Sequence, residues 1–343
     1  MKMNGRTFHS KQIHCIFLLL LTFYHGCYGT AKYFNDQETL EEENLEWMTN
    51  INNDIELSKL FIPGTHDSLA LYGGPAAKCQ SWNLETQLKA GVRYFDLRVW
   101  NIFNRPTKMI LTHGLVIQFK LLSSVFQDMV QFLTKYESET ILIRIKPELW
   151  HKKDVKANTL TLLSTLKYQK YVYPPLKGQS PAESPKMKDV RGKIVFLKLN
   201  DAFDFGIPYT TTHKSGEHKV ADIEDKFNMV LGYINTQMTS NDKTTDIDEQ
   251  TEEDQDLILT YSSGTGWPIG RPLSTPKKIA KDINNQLAKN LNELSTTTVL
   301  HGILAMDFPG PDLIKIVIDF NKPHLVDKPG TSNGKRSLKR GQA

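Results

Sequence analysis

Short apolar runs alternate with amphipathic segments along most of the chain. Amphipathic helices are indicated over Trp82–Ala90, 120–136, Val155–Leu166 and a segment opened by Pro276. Between them, eight runs have the length and apolar character of buried strands: Lys59–Pro63, Val92–Leu97, Met109–Leu111, Thr140–Ile145, Lys193–Leu199, His218–Ile223, Leu257–Tyr261 and Ile303–Met306. Strands alternating with helices indicate a parallel sheet, and eight in one domain predict an α/β fold with a single closed TIM (β/α)8 barrel.

Residues 1–29 have the features of a secretory signal. A basic end precedes the short apolar run centred on Ile16–Phe23, and small residues follow at Cys27–Gly29. The apolar run is shorter than the roughly 20 residues that span a bilayer. We therefore expect a secreted, extracellular protein, with a signal anchor as the alternative.

Charge is segregated along the chain. The formal net charge is +4, but the signal and the tail 322–343 are both basic, which leaves the body mildly acidic. An acidic body argues against nucleic-acid binding. The tail is expected to be a disordered, solvated end, and contact with anionic lipid is its alternative function.

Two further segments and one cysteine are informative. Residues 30–45 are polar and are expected to be loose. Asp242–Asp256, inside the segment 238–256, carries eight carboxylates and predicts a surface loop, because it lacks the spacing of an EF-hand calcium loop. Once the signal is removed, Cys79 is the remaining cysteine, and we expect it to be buried rather than a free reactive thiol.

Chemically useful side chains follow several of the predicted strands. They are His66 and Asp67, Asp96 and Arg98, His113, Lys146, and Asp307. Because the carboxyl ends of barrel strands meet on one face, residues at these ends form the active sites of such barrels. Two histidines with aspartates and an arginine indicate acid–base chemistry on a phosphate ester.

These residues lie in motifs that resemble a known family. Ile62–Ser68 (IPGTHDS), Gly91–Arg98 (GVRYFDLR) and His113-Gly114 are similar to the X domain of phosphatidylinositol-specific phospholipase C, the bacterial secreted type in particular. The resemblance continues through Ser138–Ile141, Arg191–Val195 and Ser262–Thr265 and covers residues 46–321. It implies a distorted TIM barrel that cleaves phosphatidylinositol in membranes into diacylglycerol and inositol 1,2-cyclic phosphate.

The resemblance also implies roles for the site residues. His66 corresponds to the general base and Asp307 to the carboxylate that orients it. His113 corresponds to the general acid, with Asp67 as its partner. Arg98 corresponds to the phosphate-binding guanidinium, and Asp96 positions Arg98 or contacts substrate. A guanidinium suits phosphate because it donates two parallel hydrogen bonds.

Substrate-binding residues follow from the same resemblance. Lys146 matches a lysine that binds inositol hydroxyls, and Asp225 and Phe227 match an inositol-contacting aspartate and a stacking tyrosine. Leu199 stands where the family has an arginine, which removes one expected head-group contact. Trp267 resembles a rim-loop tryptophan that inserts at the bilayer interface, with packing against the next helix as its alternative.

Other functions stay open at this point. A metal site built from the same His and Asp residues is the main competing chemistry. However, Arg98 would supply the charge of a cation, and calcium-dependent relatives carry an acidic residue at its position. We therefore expect no metal and no cofactor, and a monomer. Cleavage of a glycosylphosphatidylinositol anchor or another lipid phosphodiester, and a catalytically weak inositol-lipid binding module, are the alternatives.

Overall fold

The computed structural model describes residues 32–40, 42–176, 184–199, 203–212, 214, 216–239, 257–266, 275–294 and 298–326. The predicted signal, the acidic segment 242–256, Trp267 and the tail beyond residue 326 lie outside these residues. The described residues from Tyr33 onward belong to one compact unit.

The described strands are short and mostly buried. In chain order they are β1 (Phe61–Thr65), β2 (Tyr94–Trp100), β3 (Ile110–His113), β4 (Val116–Leu121), β5 (Ile141–Pro147), β6 (Val172–Tyr173), β7 (Ile194–Leu197), β8 (Thr210–Thr211), β9 (Lys219–Val220), β10 (Met238–Thr239), β11 (Ile258–Tyr261), β12 (Thr265–Gly266), β13 (Val299–Leu300) and β14 (Gly302–Met306). Eight of them form a curled parallel sheet in the order β6-β7-β5-β2-β1-β14-β11-β8. A parallel bridge from Leu197 to Ile207, just before β8, brings the two ends of this sheet together.

Helices pack on the outside of the sheet. They are α1 (Leu84–Ala90), α2 (Leu122–Lys135), α3 (Val155–Thr165), α4 (Met187–Val190), α5 (Ile223–Thr236), α6 (Pro276–Glu293) and α7 (Pro311–Asp319). Their ends follow local chemistry. The Asn83 side chain accepts from the Thr86 amide at the start of α1, and Gly91 ends that helix in the left-handed region at φ 107°. Thr275 caps α6 ahead of Pro276.

Side chains inside the sheet form an apolar layer at the amino ends of the strands. Ile62, Tyr94, Leu142, Leu259 and Ile303 belong to this inner cluster. Residues of the opposite parity pack outward against the helices, as period-two alternation requires. The inner face therefore becomes available to polar residues further along each strand.

Gly64 permits the close approach of β1 and β2. It pairs with Tyr94 across the two strands, and a Cβ at position 64 would lie 2.6 Å from the Tyr94 ring. A larger residue would push the tyrosine out of the inner layer. This steric requirement explains the glycine in the Pro63-Gly64-Thr65-His66 sequence.

Two predicted strands differ from the observed sheet. The third, near Met109–Leu111, is β3, which pairs antiparallel with β2 and forms a hairpin with β4. The sixth, His218–Ile223, contains only the two-residue β9, which pairs with β12 outside the main sheet. Thr210–Thr211 takes the place beside β11 instead. Two residues carry too little pattern to indicate a strand.

The described part of segment 30–45 contacts the barrel. Phe34 pairs with Pro309, the Asn35 amide donates to the Phe308 carbonyl at 3.0 Å, and the Asn44 amide donates to the Lys89 carbonyl at 2.7 Å. Cys79 is buried, as expected.

A buried ion pair connects residues 45–48, which precede the first strand, to the sheet. Arg93 and Glu139 are both fully buried and lie 2.8 Å apart. Arg93 also donates to the Leu88 and Leu45 carbonyls, and Glu139 accepts from the Met48 amide at 3.0 Å. The pair therefore connects β2 with the start of β5 and with residues 45–48.

We expect Glu139→Ala to reduce the free energy of unfolding by about 3–5 kcal/mol, because it leaves the Arg93 charge buried and unpaired. Urea denaturation would measure this loss. Glu85→Ala, which removes the same side chain from an exposed pair with Lys89, should have little effect. Equally small losses in both variants would contradict the assigned role.

Candidate active site

A cavity of about 600 Å³ opens at the carboxyl ends of the barrel strands. It contains most of the polar residues that the sequence places at strand ends. Its lining includes His66, Asp96, Arg98, His113, Arg144, Lys146, Lys198, Leu199, Tyr209, Tyr261 and Asp307. A site at this end is where a parallel barrel places its chemistry.

His66 and Asp307 form the first pair of the site. They follow the neighbouring strands β1 and β14, and the two side chains meet with His66 Nδ1 3.0 Å from Asp307 Oδ1. A carboxylate accepts, so Nδ1 carries the proton in this pair. The other ring nitrogen, Nε2, then presents its lone pair to the cavity.

Arg98 lies at the centre of the site. Its Nη2 donates to His66 Nε2 at 2.7 Å, and its Nε lies 3.1 Å from Asp67 Oδ2. Asp96 Oδ2 lies 3.9 Å from the same Nε, and Glu148 Oε1 lies 3.8 Å from Nη1. Since arginine only donates, its contact with Nε2 fits the tautomer that Asp307 sets.

His113 and Asp67 form the second pair. The Nδ1 of His113 donates to the Ala77 carbonyl at 2.7 Å, and Nε2 lies 3.5 Å from Asp67 Oδ2. A lone pair and a carboxylate would repel each other, so a proton between them stabilises the arrangement. Asp67 has a left-handed backbone, φ 39°, and the consecutive residues His66 and Asp67 serve different partners.

Burial controls the protonation of this second pair. It raises the pKa of Asp67 to about 7, although the charge of Arg98 opposes the rise. It also lowers the pKa of His113, against the hydrogen bond to Ala77. The Asp67 carboxyl therefore keeps its proton up to about pH 7, beside a His113 imidazole that burial holds neutral.

The pKa of Asp96 shifts in the opposite direction. Burial would raise the pKa of this carboxyl, but Arg144 and Arg98 hold it below its ordinary value. Arg144 Nη1 lies 3.7 Å from Asp96 Oδ1. Asp96 is therefore a permanent anion between two guanidinium groups.

Buried amides support the loops that carry the two pairs. Gln80 donates to the His66 and Met306 carbonyls at 2.8 and 2.9 Å, and its oxygen accepts from the Phe308 amide. Asn284 on α6 donates to the Asp307 carbonyl at 3.0 Å. The backbone on both sides of the His66–Asp307 pair is thus held by protein groups.

Of the residues predicted to bind substrate, some line the cavity and others do not. Lys146 lines the cavity, with Nζ 3.1 Å from Glu148 Oε1, and Leu199 lines it too. Phe227 does not reach the cavity, because it packs with Val230 and Ile283 in the outer core. Asp225 is exposed in the first turn of α5 and is also outside the lining. Trp267 falls outside the described residues.

Sequence reasoning overlooked Arg144 and Tyr261. Both line the cavity, Arg144 donates to the Tyr261 hydroxyl, and the Tyr261 ring meets the His66 ring edge-on at 5.7 Å. The signal was present for Arg144. It lies two residues before Lys146 in a strand, and alternation places both on the same face.

Two groups of described residues have ligand atoms close enough to hold a metal. Their ligand atoms lie within 4.8 Å of one another in each group: His66, Cys79 and Asp307, or Asp67, Cys79 and His113. Burial raises the pKa of Cys79 well above its ordinary value, which disfavours the thiolate that binds metals. The Arg98 charge beside both groups also opposes a cation.

Comparison with known families agrees with this geometry. The model of the phosphatidylinositol-specific phospholipase C X domain matches residues 53–199. This range includes His66, Asp67, Asp96, Arg98 and His113, whereas Asp307 lies beyond it. Residues 53–199 therefore correspond to a phosphatidylinositol-specific phospholipase C X domain.

Individual relatives extend the likeness along the chain. A 1-phosphatidylinositol phosphodiesterase of Listeria monocytogenes is 28% identical over 90% of this chain and 95% of its own length. One from Staphylococcus aureus is 27% identical over 54% of this chain and 57% of its own length. The structure of phosphatidylinositol-specific phospholipase C from Listeria monocytogenes superposes with a TM-score of 0.65 at 26% identity, covering 82% of this chain and 99% of that one. These matches confirm the distorted TIM barrel.

Among the helices that the structure describes, none has both the length and the apolar character needed to cross a membrane.

We expect histidine nitrogen NMR on the neutral imidazole of His66 to show a proton on Nδ1 and none on Nε2, as the contact with Asp307 requires. Asp307→Ala should populate the other tautomer as well, because the acceptor at Nδ1 is removed. Asp54→Ala is the control, since Asp54 is an exposed carboxylate paired with Lys188. A proton on Nε2 in the unaltered protein would contradict this assignment.

Proposed function

We propose that the protein is a secreted, metal-independent phospholipase C that cleaves phosphatidylinositol to diacylglycerol and inositol 1,2-cyclic phosphate. The observation that carries this proposal is the position of the Arg98 guanidinium, which contacts both the His66–Asp307 pair and the His113–Asp67 pair. A phosphate bound there would have a base on one side and an acid on the other. The family and the names of the relatives support the substrate.

The first proton transfer uses His66. Its Nε2 lone pair faces the cavity, and Asp307 stabilises the imidazolium that forms when the base takes a proton. The inositol 2-hydroxyl gives up that proton, and its oxygen attacks the phosphorus. Arg98 would move its Nη2 contact from His66 to a phosphoryl oxygen as substrate enters.

The second proton transfer uses the His113–Asp67 pair. The bond from phosphorus to the diacylglycerol oxygen breaks, and the departing oxygen takes the proton that His113 and Asp67 share. A pKa near 7 for Asp67 suits this role, because the pair is protonated at neutral pH yet releases the proton readily. The His113–Asp67 pair is then deprotonated and His66 is protonated, so before the next cycle His66 releases its proton to water and the pair takes one up from water.

Charge around the phosphate is supplied by the chain itself. Arg98 can donate two parallel hydrogen bonds to phosphoryl oxygens, while Asp67 and Asp96 lie beside its Nε and Glu148 lies beside its Nη1. Donors that are fixed before the reaction stabilise the charge that develops on the phosphoryl group. A metal ion is not required for that stabilisation.

Head-group binding draws on the inner face of β5. Lys146 and Arg144 line the cavity, and the buried Arg144 Nε has no hydrogen-bond partner in the described structure. An inositol hydroxyl would supply the missing acceptor. Arg144 is thus a candidate for the contact that is lost with Leu199, and we propose it beside Lys146 as a substrate-binding residue.

The decisive experiment is turnover of the purified protein on phosphatidylinositol vesicles with a chelator present, followed by phosphorus NMR. We expect cyclic inositol phosphate, with a loss of about 10²–10⁴-fold in His66→Asn, the range for removing a general base. His151→Asn is the matched control, because His151 is an exposed histidine outside the cavity lining. Absence of product from folded protein, or dependence on added metal, would contradict the proposal.

The pH profile tests the acid. The pKa of Asp67 is raised, so the proton is present below about pH 7 and is lost as pH rises, and kcat should fall on the alkaline side. Asp67→Asn should lower kcat by about 10²–10³-fold and displace that limb to lower pH, because His113 loses its anionic partner. Asp54→Asn should leave the profile unchanged, and an unaltered limb in Asp67→Asn would assign the titration elsewhere.

A further inference from the structure

The Asp307 carboxylate depends on its backbone for its direction. Its Oδ1 meets His66 Nδ1 at 3.0 Å, whereas its buried Oδ2 has no hydrogen-bond partner among the described residues. Since no second hydrogen bond holds this carboxylate in the described structure, the main chain at residues 307–308 sets where Oδ1 points.

The next residue, Phe308, has a strained backbone. Its φ is 44°, in the left-handed region, where a bulky side chain is an exception. Pro309 follows, and a residue before a proline normally has an extended backbone, so the conformation of Phe308 is disfavoured twice. Such strain persists only where surrounding contacts impose it. The contacts of Phe308 therefore control the direction of the carboxylate before it.

Hydrogen bonds to the main chain of Phe308 impose this conformation from two sides. The Phe308 amide donates to the Cys79 carbonyl at 3.1 Å and to Gln80 Oε1 at 3.2 Å, both on the loop after β1. The Phe308 carbonyl accepts from Asn284 of α6 at 3.1 Å and from the Asn35 amide at 3.0 Å. The last of these donors comes from the beginning of the described chain.

A strap, Tyr33–Asp36, runs antiparallel to residues 308–310. Phe34 pairs with Pro309, and its ring lies 5.9 Å from the ring of Phe308. A further main-chain hydrogen bond of 2.8 Å closes the pairing at residue 310. The strap therefore contacts the three consecutive residues that follow the carboxylate.

Side chains anchor the strap to two other parts of the barrel. Asn35 is 9% exposed, and its Nδ2 donates to Ser81 Oγ at 2.9 Å. Ser81 Oγ in turn donates to the Asn35 carbonyl at 3.0 Å. Asp36 Oδ2 lies 2.9 Å from Nζ of Lys277 on α6, the helix that also carries Asn284. The strap, the loop after β1 and α6 therefore form one connected support.

We propose that Asn35 is a positioning residue for the reaction, which acts through Phe308 on the direction of Asp307. This inference rests on the proposed function for its effect on turnover, whereas its effect on the His66 tautomer needs no turnover. When the strap loosens, Phe308 relaxes toward an extended backbone and turns Oδ1 away from His66 Nδ1. The base then loses the acceptor that fixes its proton. The head-group contacts on β5 stay in place, because β1 and β2 separate β5 from β14 in the sheet.

The first test is histidine nitrogen NMR of Asn35→Ala, a substitution that removes the side-chain bond to Ser81 and leaves the main chain of the strap unaltered. We expect the neutral imidazole of His66 to populate the tautomer protonated at Nε2 beside the one protonated at Nδ1. The change should have the same direction as in Asp307→Ala and be less complete, because the carboxylate is displaced rather than removed.

Asn52→Ala is the matched control. The Asn52 side chain accepts from a main-chain amide two residues further on, as that of Asn35 does, and it lies outside the cavity lining. Its substitution should leave the His66 signals unchanged. Ser81→Ala is a second variant, which removes the partner of Asn35 without altering the strap. It should shift the His66 tautomers in the same direction, and it decides the question if Asn35→Ala does not fold.

The second test is turnover of phosphatidylinositol. Asn35→Ala should lower kcat by about 10- to 100-fold with KM unchanged, the range for a small misplacement of a catalytic group. In the Asp307→Ala background the same substitution should cause no further loss, because the residue through which it acts is absent. A general loss of folded protein would instead lower the activity of both backgrounds by the same factor.

Two results would overturn the inference. The first is a His66 tautomer that stays unchanged in Asn35→Ala and Ser81→Ala, whatever happens to kcat. The second is a pair of losses in kcat that multiply when Asn35→Ala is combined with Asp307→Ala. If the unaltered protein does not turn over phosphatidylinositol, the proposed function fails, while the NMR result still decides the role of Asn35.

Discussion

The register of four adjacent parallel strands is the constraint on which the site depends. In β14, β1, β2 and β5, residues two apart share the inner face: Ile303, Ala305 and Asp307; Ile62, Gly64 and His66; Tyr94, Asp96 and Arg98; Leu142, Arg144 and Lys146. Each row begins apolar and ends polar. A slip of one residue in any strand would turn its polar end outward and separate the pairs.

The charges can then coexist because they are arranged around one guanidinium. Arg98 contacts Asp67, lies near Asp96 and Glu148, and donates to the single lone pair that His66 presents. Burial disfavours each isolated charge, but a central cation with three carboxylates near its Nε and Nη1 offsets much of that cost. The remaining cost of burying negative charge raises the pKa of Asp67 to about 7, so this carboxyl keeps its proton up to about neutral pH.

Much of the fold was predictable, and the failures have physical causes. Runs such as Val92–Leu97 and Ile303–Met306 are strands because both faces are buried. The third predicted strand, Met109–Leu111, was taken for a barrel strand, since a buried antiparallel strand such as β3 has the same apolar composition as a parallel one. β8 is too short to carry a pattern. Phe227 matches a family position by sequence, but in α5 its ring faces the outer core. Arg144 was missed although its spacing from Lys146 was visible.

The sequence by itself determined the family, the strands that carry the chemistry and the residues His66, Asp67, Asp96, Arg98, His113 and Asp307, because short motifs and period-two alternation are local properties. The tertiary structure alone decided which carboxylate lies beside which histidine, since His66 and Asp67 are neighbours in the chain and yet pair with Asp307 and His113, respectively. It also decided the protonation of Asp67 and the left-handed backbone of Phe308. Burial and backbone turns set these properties, and both depend on contacts between residues far apart in the sequence.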